Sequence, residues 1–335
     1  MSSNPTVSHE DRGRILQRIL FCPSEERTAR ELLSLEKSER QQVWADMAGY
    51  AAAIDYRMHA ESPELLEDRL ALLQRELEDA GGAYRLAVEQ DAAWVDRQKI
   101  KFLRAEDFNP SAAAARMLRY FTLKETLFGT EKLGRDIRLQ DFNEDDMESL
   151  RAGGLQILSE PDHAGRRIFF TQNRNYVYKD RKNMLRAFFY CSQYATREEK
   201  YQKVGFLSVS YNVGGYPPGG YDFEMTRNVS QLVKAVPVRF CGIYICFSNT
   251  AWKQVAEVIS HLVSPLMRVR LRSVEGSHQE CLYQLFALGI PIAAIPLNAQ
   301  GENRLDYHHH WIDCERKREQ DEDMKLKGEH ERLGP

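Results

Sequence analysis

Apolar side chains in roughly the first 150 residues recur at helical spacing, without the alternation that indicates strands. In residues 62–81, leucines recur every three or four positions behind a Ser-Pro pair, which is a common helix start. Breaks at Pro23 and Pro63 exclude one long coiled coil. The pattern predicts a helical extension over residues 1–91 and a second helical lobe over residues 92–150.

Three further helices are predicted in the extension, over residues 9–21, from Ser24 and from Ser38. Serine favours the N-cap because its hydroxyl accepts a backbone hydrogen bond from the first turn, and the acidic residues after Ser24 suit the positive end of a helix dipole. We interpret the extension as a structural lid or clamp. Binding of a protein partner through the helical N-terminus is the alternative.

The hydrophobic period changes at Leu155. Short apolar, β-branched and aromatic runs now alternate with amphipathic helices, and the first two runs flank a turn at residues 161–165. The predicted strands cover residues 155–158, 167–171, 204–213 and 242–247, and the predicted helices cover residues 180–200, 221–235, 249–263 and 276–286. This alternation is typical of an α/β fold with a mainly parallel sheet. The α/β lobe spans residues 151–300, and a charged tail over residues 301–335 is predicted to be a solvated helix or partly disordered.

The helix predicted over residues 249–263 carries an apolar stripe and ends before Pro265. In the segment that follows, Arg268, Arg270 and Arg272 alternate with apolar residues and would lie on one side of an extended strand. Arginine binds phosphate through two parallel hydrogen bonds, and basic residues contribute about 1 kcal/mol each at an anionic bilayer. A phosphate or membrane contact and an ordinary solvated strand face are equally compatible with this pattern.

Composition narrows the class of protein. Hydrophobic residues make up 43% of the 335 residues and charged residues 28%, which is ordinary for a globular protein. The balance of 46 basic against 49 acidic side chains argues against a dedicated nucleic-acid binder. No apolar run is long enough to span a bilayer, the N-terminus lacks a signal pattern, and the six cysteines are scattered. We therefore expect a cytoplasmic protein.

Motifs for catalysis or metal binding are weak. No G-x-S-x-G sequence is present, and Ser208 and Ser210 lie inside a predicted strand, which does not suit a nucleophile on a sharp turn. The glycine- and proline-rich residues 214–220 suit a surface loop better than a phosphate-binding loop. His308, with the two histidines that follow it, is expected to pack or to be solvated and not to hold a metal. We expect no enzyme activity, no metal and no cofactor other than a bound lipid.

Several segments together resemble the CRAL-TRIO lipid-binding family. They cover residues 101–113 (KFLRAEDFNPSAA), 165–170 (GRRIFF), 236–247 (VPVRFCGIYICF), the helix before Pro265, 274–277 (VEGS) and 290–296 (IPIAAIP). Each motif is loose, but their order and spacing over about residues 92–298 are fairly specific. The resemblance implies a helical lobe followed by an α/β lobe whose sheet floors a hydrophobic pocket. It also implies that helix 249–263 covers one lipid and opens at a membrane.

The resemblance and the surplus of large apolar side chains yield a set of pocket candidates. These are Phe170, Leu185, Phe188, Ser192, Phe206, Ser208, Met225, Val229, Ile243, Ile245, Phe247, Trp252, Val255 and Ile259. Arg239, Arg268, Arg270 and Arg272 match the region that meets phosphoinositide headgroups in some members. However, Val238 and Leu271 stand where phosphatidylinositol-transferring members carry glutamate and lysine, which argues against binding of that lipid in their manner.

The sequence thus predicts a non-catalytic protein that binds a small hydrophobic lipid and transfers it between membranes. A chain of ~12 methylenes at ~0.8 kcal/mol each would bind without covalent chemistry. We expect the protein to be peripheral at membranes, with phosphoinositide as a candidate contact. The alternative is a regulatory or adaptor scaffold whose pocket is empty or closed and which binds protein partners.

Overall fold

The computed structural model describes residues 25–48, 61–214 and 220–333. The helix predicted over residues 9–21 and most of the loop at 214–220 lie outside these ranges.

The N-terminal region is helical, as the apolar spacing predicted. Its helices are α1 (Glu25–Ser34), α2 (Lys37–Ala48), α3 (Pro63–Glu76), α4 (Gly82–Ala105), α5 (Pro110–Phe128) and α6 (Glu144–Arg151). The predicted caps form: the Ser62 hydroxyl accepts a hydrogen bond from Leu65 N, and the Asn109 side chain accepts one from Ala112 N. Asp107 and Phe108 join α4 to α5 in the left-handed region of backbone space, with φ of 48° and 62°.

The α/β lobe contains a five-stranded sheet in the order β1-β2-β3-β4-β5. The strands are β1 (Leu155–Ile157), β2 (Arg167–Thr171), β3 (Phe206–Asn212), β4 (Phe240–Phe247) and β5 (Leu271–Glu275). β1 and β2 are antiparallel, and the remaining neighbours are parallel. The sheet is therefore mainly parallel, as the alternation of strands and helices predicted.

Helices connect the strands and follow the last one. They are α7 (Arg181–Ala195), α8 (Glu199–Val204), α9 (Phe223–Ala235), α10 (Thr250–Leu262), α11 (Pro265–Arg268), α12 (His278–Ala287) and α13 (Asp306–Leu333). The Asn249 side chain caps α10 by accepting a hydrogen bond from Trp252 N. α10 ends at Leu262, two residues before Ser264, whose hydroxyl caps α11 with Pro265 in its first turn.

The prediction of one extended segment carrying three aligned arginines is wrong. Arg268 is the last residue of α11, and β5 begins only at Leu271. The Ser264-Pro265 pair is itself a helix start, since serine can cap and proline suits the first turn. Arg268, Arg270 and Arg272 therefore do not lie along one extended strand.

The two faces of the sheet pack against different layers. One face shares a core with α3 to α7 and α9, in which Phe169 and Phe206 contact each other. The opposite face packs on α12, with Phe170 stacked on Tyr211. A smaller cluster joins α10 to the end of β4. Any internal space available to a ligand must lie between these layers.

The prediction of a solvated tail holds for only part of α13. Trp311 and Ile312 are buried in the core of the helical layer. Glu319 accepts hydrogen bonds from Leu139 N at 2.8 Å and from the Tyr190 hydroxyl at 2.9 Å. The first half of α13 thus packs against the helical layer, because its few apolar residues lie on one face of the helix.

Candidate functional site

A cavity of about 200 Å³ lies between the sheet and helices α7, α9 and α10. The floor consists of alternate residues of the central strands. Register pairs Phe169 with Ser208 and Thr171 with Ser210 across β2 and β3, while Ile243 and Ile245 of β4 pair with the same two serines. Successive side chains of a strand point to opposite faces, so these residues form two rows on one face.

Eight of the fourteen pocket candidates line this cavity. They are Phe188 and Ser192 of α7, Ser208 of β3, Met225 and Val229 of α9, Ile243 and Ile245 of β4, and Ile259 of α10. The sequence predicts which residues of one helix or strand lie on the same face, because each face recurs with a fixed period.

The other six candidates lie elsewhere. Phe170 faces the opposite side of the sheet, where it stacks on Tyr211 at 5.9 Å between ring centroids. Leu185 and Phe206 are packed in the core shared with the helical lobe. The last three, Phe247, Trp252 and Val255, form the cluster that attaches α10 to β4. The stripe of α10 is thus mostly packing, and only its second half reaches the cavity.

Further residues that the sequence did not single out also line the cavity. On the sheet side they include Phe169, Thr171, Ser210 and Phe240, and on the helical side Leu232, Val236, Leu262, Val263 and Met267. For β2 the missing signal was the register, since two adjacent phenylalanines cannot be assigned to faces without it. For Val263 and Met267 the missing signal was the turn between α10 and α11. We call this turn, residues 263–264, the hinge, and it brings both side chains to the cavity.

The C-terminal end of α10 is tied to its neighbours by specific hydrogen bonds. The Ser230 hydroxyl of α9 donates to Leu262 O at 3.1 Å. The Arg268 guanidinium donates to Ser260 O and, at 3.0 Å, to Val263 O. These contacts satisfy carbonyls that the helix leaves unpaired at its end. Arg268 therefore secures the hinge of the helix that covers the cavity.

The four arginines predicted to meet phosphate or membrane are engaged with the N-terminal helices. Asp46 of α2 is only 1% exposed, and its carboxylate accepts hydrogen bonds from Arg239 at 2.7 Å and from Arg270 at 2.8 Å. Arg268 pairs with Glu31 of α1, and Arg272 lies against the sulfur of Met47. We call these four arginines with Asp46 and Glu31 the arginine cluster.

The electrostatics of the cluster follow from burial and charge. Burial alone would raise the pKa of Asp46, but the positive charges of Arg239 and Arg270 and their hydrogen bonds outweigh it and hold the pKa below its usual 3.8. Arg166 adds a hydrogen bond to the Asp46 carbonyl. Asp46 is thus ionised and neutralised inside the fold, and the arginines do not face an open surface.

The histidines of the tail also have structural partners. His308 is buried and bonds to Leu150 O through Nε2 at 2.7 Å, and burial lowers its pKa to about 4. His309 bonds to Arg151 O at 3.0 Å. In the described residues, no group of three or more histidine, cysteine or carboxylate side chains is placed to hold a metal ion.

No helix in the described parts of the chain combines the length and hydropathy needed to cross a bilayer.

Comparison with known proteins agrees with this geometry. A family model described as the CRAL/TRIO domain matches residues 151–289, which run from the end of α6 through α12 and contain the whole sheet. No curated protein matches the chain. Residues 151–289 thus belong to the CRAL-TRIO family, as the motif resemblance predicted. This membership implies, in general terms, binding or transfer of a lipophilic ligand.

Proposed function

We propose that this CRAL-TRIO protein binds one small lipophilic molecule in the cavity under α10 and carries it between membranes without altering it chemically. The observation that supports this most directly is the cavity itself, which lies inside the matched domain and has mostly apolar walls. Well-packed interiors leave few voids larger than a water molecule, so a space of about 200 Å³ calls for an occupant.

The size of the cavity limits what it holds in this state. Each methylene buried there contributes about 0.8 kcal/mol, so even a short hydrocarbon chain gains several kcal/mol. A longer chain, such as the ~12 methylenes that the sequence led us to expect, gains more room if a wall moves outward. The wall best suited to move is α10, because it is held at its ends by a few contacts and borders the cavity along its second half.

Two exposed apolar side chains near α10 support the proposal that the cavity opens at a membrane. Phe223, at the start of α9, is 47% exposed, and Leu266, just beyond the hinge of α10, is 43% exposed. Apolar side chains that flank the covering helix would enter the interface of a bilayer. Once there, the apolar face of α10 would meet lipid instead of water, which lowers the cost of opening. The protein would then be cytoplasmic and peripheral at membranes.

Contact with phosphoinositide through Arg239, Arg268, Arg270 and Arg272 remains a prediction. In this conformation Asp46 and Glu31 occupy the guanidinium groups of Arg239, Arg268 and Arg270, so a lipid phosphate would have to replace both carboxylates. Such an exchange requires α1 and α2 to move away from β4 and α11.

The proposal of a carrier without catalysis rests on the surroundings of the serines. Ser208 and Ser210 lie on the cavity floor, and among the described residues neither has a hydrogen bond to a histidine. One candidate base, His278, contacts the Tyr211 hydroxyl at 2.5 Å between Nδ1 and the phenol oxygen. A serine nucleophile needs an adjacent base.

Native mass spectrometry of protein purified from cells tests the proposal. We expect a lipid to co-purify with the wild type and to be lost in Val229→Trp, which fills the cavity from α9. Gln231→Trp, an exposed position on the same helix, is the matched control and should retain it. A wild type that is always empty and that transfers no lipid between vesicles would contradict the carrier and favour the adaptor scaffold.

A further inference from the structure

The cavity has a polar region along β3 and at the carboxyl end of β2. Thr171, Ser208 and Ser210 project from the strands, and Asn173 and Tyr176 follow β2 in the loop beyond it. The Thr171 hydroxyl donates to Val209 O at 3.4 Å, and burial raises the pKa of Tyr176, so its phenol stays neutral. These five residues, which we call the polar floor, carry no ionisable group that is charged near neutral pH.

The hydroxyls around the cavity differ in whether they already have partners. Ser192 donates to Phe188 O at 2.8 Å within its own helix, and Ser230 donates to Leu262 O at 3.1 Å. The Ser264 and Thr226 hydroxyls accept hydrogen bonds from Met267 N and from the Tyr221 hydroxyl, respectively. These four hydroxyls therefore already have hydrogen-bond partners within the protein.

Ser208 is the exception. Among the residues that the structure describes, its hydroxyl has no hydrogen-bond partner, although it lies on the floor of a largely apolar cavity. Beside it, Ser210 accepts a hydrogen bond from Asn212 Nδ2 at 3.0 Å, and its own proton has no acceptor in the described part of the chain. A polar group facing an apolar cavity without a partner is unfavourable unless a ligand or a water satisfies it.

Among the residues that the structure describes, charged side chains border the cavity only at its other end. Arg116 and Lys234 lie beside the C-terminal end of α9, near the amino end of β4. Arg116 is already occupied: it pairs with Glu106 and donates to the carbonyls of Val233 and Val236. No cation lies among the cavity-lining residues at the polar floor, so an anionic group placed there would be buried without compensation.

We propose that the polar floor recognises the uncharged polar end of the ligand, a hydroxyl or carbonyl, and that Ser208 determines this specificity. The inference rests on the proposed function, because it assigns the orientation of a lipid in the same cavity. The hydrocarbon chain of the ligand then runs from the polar floor toward Val236 and Phe240. It also contacts Val263 in the hinge and Met267 in α11. Lipids whose buried end is a carboxylate or phosphate are disfavoured.

Binding of three probes of equal chain length tests this inference: octan-1-ol, octane and octanoate at pH 8, measured by displacement of a fluorescent apolar dye. For the wild type we expect octan-1-ol to bind at least tenfold more tightly than octanoate. Ser208→Ala should reduce the preference for octan-1-ol over octane by about five- to tenfold. Thr126→Ala is the matched control, since this hydroxyl donates to Thr122 O at 2.8 Å within α5 and does not line the cavity, and it should leave the preference unchanged.

The outcomes separate the two proposals. If octane binds but Ser208→Ala changes octan-1-ol and octane equally, or if octanoate binds as tightly as octan-1-ol, the assignment of the polar floor is wrong while the carrier function stands. If none of the three probes enters the wild-type cavity, the proposed function fails and the inference fails with it. Thermal unfolding of both variants checks that a changed preference does not reflect loss of the fold.

Discussion

The cavity lies in the α/β lobe and the arginine cluster joins that lobe to α1 and α2, and the two satisfy their polar groups in opposite ways. In the cluster, Asp46 and Glu31 neutralise three arginines that lie far from them in the sequence. Asp46 is almost fully buried. In the cavity, the Ser208 hydroxyl has no partner among the described residues. The cluster is complete without a ligand, whereas the cavity is not.

The difference reflects the cost of burying each kind of group. An unpaired ion in a protein interior costs several kcal/mol, so a buried arginine needs a carboxylate within the fold. An unpaired hydroxyl costs only about 1–3 kcal/mol, which a folded protein can tolerate until a ligand arrives. A site formed from neutral groups can therefore remain open, while a site formed from charges tends to be closed by the protein's own side chains.

Removal of the Asp46 carboxylate should have the largest effect. Asp46→Ala leaves Arg239 and Arg270 buried without a counter-ion, and we expect it to lower the free energy of unfolding by about 3–5 kcal/mol. Urea unfolding followed by circular dichroism measures this. Gln41→Ala, an exposed position on α2, should change the free energy by less than about 0.5 kcal/mol. A small effect of Asp46→Ala would show that the cluster does not depend on α2.

Weakening the contact to the hinge should affect exchange of ligand. Arg268 holds both Glu31 and the last carbonyls of α10, so Glu31→Gln should loosen the hinge and speed lipid transfer between vesicles by about two- to fivefold. Arg27→Gln removes the other partner of Glu31 without touching Arg268 and serves as the control. Equal transfer rates for all three proteins would mean that α1 does not restrain α10.

Acid should weaken the cluster and spare the cavity. Because the pKa of Asp46 is lower in the fold than the unfolded value of about 3.9, its carboxylate adds stability above that value, and the contribution is lost as pH falls through the folded pKa. The difference in unfolding free energy between wild type and Asp46→Asn should therefore shrink between pH 5 and pH 3. A constant difference would contradict an ionised Asp46.

Removal of the Ser208 hydroxyl should have the smallest effect on stability. Since this group has no partner among the described residues, we expect Ser208→Ala to change the free energy of unfolding of the ligand-free protein by less than about 0.5 kcal/mol, or to stabilise it slightly. The same unfolding measurement, made beside Asp46→Ala, gives the contrast directly. A loss above about 1 kcal/mol would show that the hydroxyl has a structural partner.

Much of the site was predictable from local patterns, and the errors have specific causes. Helical and strand periods placed Met225, Val229, Ile243 and Ile245 correctly on the side that faces the cavity. The assignment of Phe170 to the pocket failed, since neighbouring strand residues face opposite sides and the choice depends on the register with β3. The prediction of the arginine ridge failed at Ser264-Pro265, which was interpreted only as the end of one helix although it also begins another.

The sequence by itself determined the types of the elements, their caps and the family, because these depend on residues within a few positions of one another and on the order of short motifs. Only the tertiary structure decided which face of β2 borders the cavity and which acids meet the arginines. Asp46 and Arg270 are 224 positions apart, and no local pattern announces their contact. This contact forms in the folded protein because burying either charge alone costs several kcal/mol, and the nearby opposite charge offsets that cost.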